Sequence, residues 1–148
     1  MLRAKDIMTG TVISVEKNTT VRELARLLAD NRISGAPVVE DGRVIGVVTE
    51  NDLIDQTKKV HIPTVITILD SVIYLENPER FEREMRKMAG VKVEDIFTEK
   101  VISVDPETPL DEVATIMADK RVHTLPVIDG EHLVGVIGKS DIIRSILM

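Results

Sequence analysis

The chain has 148 residues, 43% of them hydrophobic, and a formal net charge of −6. That length suits one domain or two small ones sharing a core, and the acidic balance disfavours duplex nucleic acid, whose binding rests on neutralised phosphates. The lack of cysteine excludes disulfides, thiol catalysis and Cys-based zinc sites.

With one Tyr, two Phe and no Trp, the interior has to be aliphatic. No stretch approaches the roughly 18 apolar residues of a membrane span. The opening MLRAKDIMTG carries no signal-peptide hydrophobic region. The expectation is a cytoplasmic protein with no membrane partner. Charged residues at 30% and a single glutamine lean towards a thermophile.

TVISV, residues 11–15, reads as a short β-run. Thr19 or Thr20 with Glu23 signals a helix start, and Val21, Leu24, Ala25 and Leu28 follow at helical spacing. APVVEDGRVIGVV is two apolar runs split by Asp41-Gly42, a hairpin signal. A short helix is predicted to begin near Asn51-Asp52.

The stretch 55–94 is an insertion between repeats, expected to be mostly helical. Its Val65, Ile68, Leu69, Val72 and Ile73 suit a helix by spacing and a strand by β-branching, so residues 62–75 stay open between the two. Asn77-Pro78-Glu79 opens a clearer helix that Gly90 ends.

The pattern then returns. KVISV precedes Thr108, Pro109 and Asp111, with Pro109 predicted at the first helical position. Leu110, Val113, Ala114 and Met117 repeat the apolar stripe, LPVIDGEHLVGVI repeats the hairpin at Asp129-Gly130, and a last helix begins near Ser140-Asp141. A shift of 89 residues aligns Asp6–Ile54 with Asp95–Ile143 without a gap, with 19 identities in 49 positions. A duplicated β-α-β-β-α unit follows, giving an α+β protein. One such unit is too small to bury both faces of its sheet, so the two are expected to pack around an approximate twofold axis. The boundaries expected are 6–54, 55–94 and 95–148.

A strand of the form hydrophobic-Pro-Val followed by GVVTENDLI, and then again by GVIGKSDII, resembles a tandem pair of CBS domains, the Bateman module, over both aligned spans. The resemblance implies a non-catalytic regulatory module. It would take AMP, ADP, ATP or S-adenosylmethionine in clefts between the repeats, without a required cofactor or metal. It also implies a homodimer.

By the same resemblance Asp52 and Asp141 hold ribose hydroxyls, and Thr49 and Ser140 contact ribose or phosphate. Adenine is read near Thr11 to Ile13 and Ser34 to Ala36, or near Lys100 to Ile102 and Thr124-Leu125. His123, three positions before its proline, meets phosphate, where copy one has Ser34. Asn51 falls inside the copy-one motif. Physical chemistry allows this: one carboxylate can accept from two vicinal hydroxyls, and a helix N-terminus offers free N–H groups to an anion.

Other readings stand beside these. Thr49-x-x-Asp52 is also a capping box, and Arg32 and Arg121, in register at the ends of equivalent helices, suit either the helix dipole or phosphate in the central cleft. Copy two has Gly138 where copy one has Thr49, so two unequal clefts are expected, with the Asp141 site, grouped with His123, the tighter for phosphorylated ligands. No nucleophile–base pair, His cluster or P-loop occurs, so no enzyme is expected. Whatever the chain regulates is then expected to be an unidentified effector protein. A structural module with unoccupied clefts is the alternative; nucleic-acid binding, against the acidic balance, is the weaker one.

Overall fold

The structure, a computed structural model, describes residues 1–59 and 90–148. The segment 62–75 and the helix expected to open at Asn77 lie outside the described residues. In chain order there are α1 (Ala4–Ile7), α2 (Val21–Asn31), β1 (Gly35–Glu40), β2 (Arg43–Thr49) and α3 (Glu50–Lys59). After a 3-10 turn (Val93–Asp95) come α4 (Leu110–Asp119), β3 (Thr124–Asp129), β4 (His132–Gly138) and α5 (Lys139–Ser145).

Helix α2 starts where the sequence places a start. The Thr20 hydroxyl accepts the Glu23 N–H at 3.1 Å and the Glu23 carboxylate accepts the Thr20 N–H at 3.2 Å, a reciprocal cap. Val21, Leu24 and Leu28 are buried, but Ala25 is exposed, so the apolar stripe is narrower than its spacing predicts. In α4, Pro109 occupies the cap position rather than the first helical position, and Val113 and Met117 supply the buried face.

Each repeat then forms one antiparallel hairpin, and the two share their register. Gly35 pairs with Thr49 as Thr124 pairs with Gly138, and both ladders shift at the same point, between Val38 and Val39 and between Val127 and Ile128. The turns differ. Asp41 and Gly42 both have positive φ, 52° and 79°, as a type I′ turn requires. In copy two the central pair is Gly130-Glu131, not the expected Asp129-Gly130, and only Gly130 (φ 64°) is left-handed, as in type II′.

The β-runs expected at 11–15 and 100–104 join the sheets at one residue each. Val15 bridges Val38 in parallel, donating to the Pro37 carbonyl at 3.0 Å and accepting from Val39 at 2.9 Å. The next rung would need an N–H from Pro37, which has none. Val104 meets the same limit at Pro126. The described sheets are therefore two-stranded within an α+β fold.

The repeats exchange their lead-in segments. Residues before the first repeat dock on the second: Ala4 donates to the Thr108 carbonyl at 2.8 Å and Leu110 to that of Leu2 at 3.0 Å. Ala4 and Ile7 enter a core with Val104, Val113, Met117, Leu125, Val127 and Ile137. Reciprocally, Val93 donates to Thr19 at 2.8 Å and joins Val15, Leu24, Leu28, Ala36, Val38 and Val48. Thr9 exchanges backbone hydrogen bonds with Val136, and Thr98 with Val47. Such reciprocal pairs, each shifted by 89 residues, are the mark of a pseudo-twofold relation. The repeats also meet where β1 and β3 begin: a Cβ added at Gly35 would lie 2.6 Å from the Thr124 hydroxyl.

Candidate ligand cleft

One cleft draws on both repeats. Copy one lends it Ser34, Thr49, Asn51 and Asp52, and copy two lends it Lys100, Ile102, Arg121, His123 and Thr124. Nine of the residues singled out in the sequence therefore come together. Reading the sequence misses Val47, Glu50, Thr98 and Val122, which also line it. Thr98 arrives through the exchanged lead-in segment, for which local pattern holds no signal.

Thr49 stands immediately before α3, and its pair with Asp52 is a capping box as well as a cleft wall. The Thr49 N–H and hydroxyl both donate to Asp52 Oδ2, at 2.8 and 3.2 Å. Oδ1 carries no hydrogen bond among the described residues. Burial pushes the Asp52 carboxyl above the ordinary carboxylate range; the Thr49 bonds pull against this, and the nearby Asp55 charge adds to it.

Asp141, at the same place in copy two, is in different surroundings. It is 5% exposed. Its Oδ2 accepts the Gly138 N–H at 2.8 Å, while Oδ1 accepts the Thr9 hydroxyl at 3.0 Å and the Arg144 guanidinium. The grouping of His123 and Thr124 with Asp141 is therefore corrected: both line the cleft of Asp52. The error comes from assigning a site to a single repeat, whereas the twofold relation sets the motif of one against the approach to β3 of the other.

Thr11, Ile13, Arg32 and Ser140 are not among the residues lining this cleft, and neither are Ala36 and Leu125, which are fully buried in the two cores. Leu125 directly follows the cleft-lining Thr124 in β3, so its side chain points to the other face of the strand, into the core. Arg32 and Arg121 both end helices or turns in the left-handed region, at φ 53° and 54°. Of the two, Arg121 reaches the described cleft.

The cleft thus combines cationic Lys100 and Arg121, with His123, from copy two and Asp52 and Glu50 from copy one, together with the apolar side chains of Val47, Ile102 and Val122. Among the described residues no group of three His, Asp or Glu side chains could hold a metal ion. No helix among them is long and apolar enough to cross a membrane.

Two tandem hairpin-and-helix repeats with exchanged lead-ins and a cleft shared between them define a paired-repeat module. The CBS domain family model matches residues 4–59 and 93–148, and the chain belongs to that family. The uncharacterized protein MJ1426 of Methanocaldococcus jannaschii is 32% identical over 97% of this chain and 90% of its own length. The chloroplastic CBS domain-containing protein CBSX1 of Arabidopsis thaliana is also 32% identical, over 90% of this chain but 58% of its own length. Among solved structures, CBSX2 in complex with AMP matches with a TM-score of 0.72 at 22% identity, covering 99% of this chain and 97% of that one. The CBS domain pair of protein MJ0100 in complex with 5′-methylthioadenosine and S-adenosyl-L-methionine matches with a TM-score of 0.71 at 23% identity, covering 99% and 96%. Likeness at that level establishes the shared fold.

Proposed function

We propose that the chain is a regulatory module that binds an adenosine-containing ligand in the cleft at Asp52. The observation that carries this reading is the half-buried Asp52 carboxylate, whose Oδ1 is without a described partner beside an apolar wall and three basic side chains. Asp52 Oδ1 would accept from a ribose hydroxyl. Val47, Ile102 and Val122 would pack on the base, and Lys100, Arg121 and His123 would meet phosphate. The complexes of CBSX2 with AMP and of MJ0100 with two adenosine derivatives support this class of ligand.

Regulation follows from where the groups come from. A ligand bridging Asp52 and the basic trio contacts both repeats, so it binds one relative arrangement of them more tightly and shifts the population towards it. An effector chain reading that arrangement is the partner implied. No reaction is proposed.

Calorimetric titration with AMP, ADP, ATP and S-adenosylmethionine should yield at least one Kd at or below roughly 100 μM, about −5.5 kcal/mol. The Asp52→Ala protein should bind that ligand at least tenfold more weakly. No heat from any of the four at millimolar concentration sinks the reading in favour of a structural module.

A homodimer is part of the same proposal. Ile54 on α3 is 61% exposed, its copy-two counterpart Ile143 on α5 is 64% exposed, and Ile146 beyond it is 77% exposed. Apolar side chains this exposed on the two equivalent helices favour self-association.

A further inference from the structure

The two motif aspartates differ in one neighbour that the alignment makes plain. Three residues after Asp141 stands Arg144, and three residues after Asp52 stands Asp55; the two positions correspond under the shift of 89. Arg144 pairs with Asp141, whereas Asp55 adds like charge near Asp52. The hydroxyls differ in the same sense. Thr9, from the exchanged lead-in, donates to Asp141 at 3.0 Å, while its counterpart Thr98 makes no hydrogen bond to Asp52 among the described residues. Asp141 thus spends Oδ1 on a hydroxyl and a guanidinium and Oδ2 on the Gly138 N–H, at 5% exposure.

We propose that Asp141 is an internal tie joining the start of the chain to its last described helix, and that each chain therefore offers one adenosine-binding cleft, the one at Asp52. The second half of this rests on the reading of the Asp52 cleft given above; the tie does not. A ribose at Asp141 would have to displace the Thr9 hydroxyl and leave Arg144 without its carboxylate, exchanging an ion pair and one hydroxyl bond for hydroxyl bonds alone. At Asp52 it displaces nothing from Oδ1. Position 144 acts as the selector: a cation closes the carboxylate, an anion leaves it open.

Calorimetry with AMP on the full chain is expected to show one site per chain. Asp141→Asn should keep the Kd within about threefold, because its carboxylate never meets the ligand. Asp55→Arg should weaken binding at least tenfold by giving Asp52 the partner that Asp141 has. Two sites per chain in the wild type overturn the proposal, as does a tenfold loss in a folded Asp141→Asn protein.

Thermal unfolding decides the tie separately. In a double-mutant cycle, Thr9→Val and Asp141→Asn should be coupled by about tenfold in the unfolding constant, and additive effects overturn the tie. If none of AMP, ADP, ATP and S-adenosylmethionine binds the wild type while the cycle shows coupling, it is the adenosine reading that fails and the tie that stands.

Discussion

Asp52 is placed where its stability and its proposed use pull in opposite directions. Burial raises its carboxyl above the ordinary range of about 3.9. A folded-state value above the unfolded one means that the folded protein holds the proton more tightly. Stability without ligand should therefore fall as pH climbs through the window just above the ordinary range. A ribose, in contrast, needs the ionised acceptor. Binding of adenosine, which has no phosphate to titrate, should tighten over that same window. Melting curves and titrations between about pH 4 and 7 would show the opposed slopes, and Asp52→Asn should flatten both. Parallel slopes would show that the carboxylate is not the ligand acceptor. Gly35 is a second single-residue case. An alanine Cβ there would stand 2.6 Å from the Thr124 hydroxyl and 3.0 Å from the Val48 carbonyl. Gly35→Ala should cost about 1–3 kcal/mol by denaturant unfolding, the usual range for forcing atoms into a closed contact. A neutral substitution would mean that the repeats can part at this point without loss.

Among the elements, α1 is the one whose role depends on its destination. Four residues cannot form a stable helix alone. Ala4 and Ile7 gain their burial from the core of the other repeat, and Glu107 holds Arg3 and Lys5 at 2.8 Å each. Ile7→Ala should destabilise the protein by about 2–4 kcal/mol, as large-to-small core substitutions do, although the residue lies outside the repeat whose core it completes. A loss below about 1 kcal/mol in chemical denaturation would show that α1 docks only loosely. The Lys5 hydrogen bond, with help from Arg3, holds the Glu107 carboxyl below its ordinary value. The sign is opposite to that at Asp52: this contribution is present above the ordinary carboxylate range and lost as pH falls through the lowered value. The hairpins show how an element tolerates different chemistry. Asp41-Gly42 and Gly130-Glu131 make turns of different type, yet the registers coincide because both are two-residue loops.

At the scale of the whole molecule, the apolar outer residues of α3 and α5 argue for a second copy. Light scattering should report about twice the 16.5 kDa chain mass. Ile143→Glu should shift the protein to monomer while leaving AMP affinity within about threefold, since position 143 is not among the residues lining the Asp52 cleft. A wild-type monomer at high concentration defeats the dimer, and a variant that dimerises as well as the wild type moves the interface elsewhere.

What the sequence determined by itself is the repeat and the fold it builds. The gap-free match at 89 residues, the Pro-Val strand and the paired G-x-x-x-x-x-D motifs are local patterns, and local patterns set hairpins, caps and apolar stripes. The Thr20 cap, the Asp41-Gly42 turn and the Thr49–Asp52 box were legible for that reason. Tertiary structure alone decided which repeat each lead-in completes, because residues 1–9 and 91–98 hold no sequence mark of their destination. It also decided the grouping of the cleft. A pseudo-twofold relation brings Asp52 to His123 and Lys100 of the other repeat, and it brings the Thr9 hydroxyl to Asp141. The repeat matches aspartate with aspartate, and the alignment shows Arg144 three residues after one of them, but the Thr9 hydroxyl that also binds Asp141 lies 132 residues away in the chain. Contacts of that range are set by how the units pack, and one-dimensional periodicity carries no record of it.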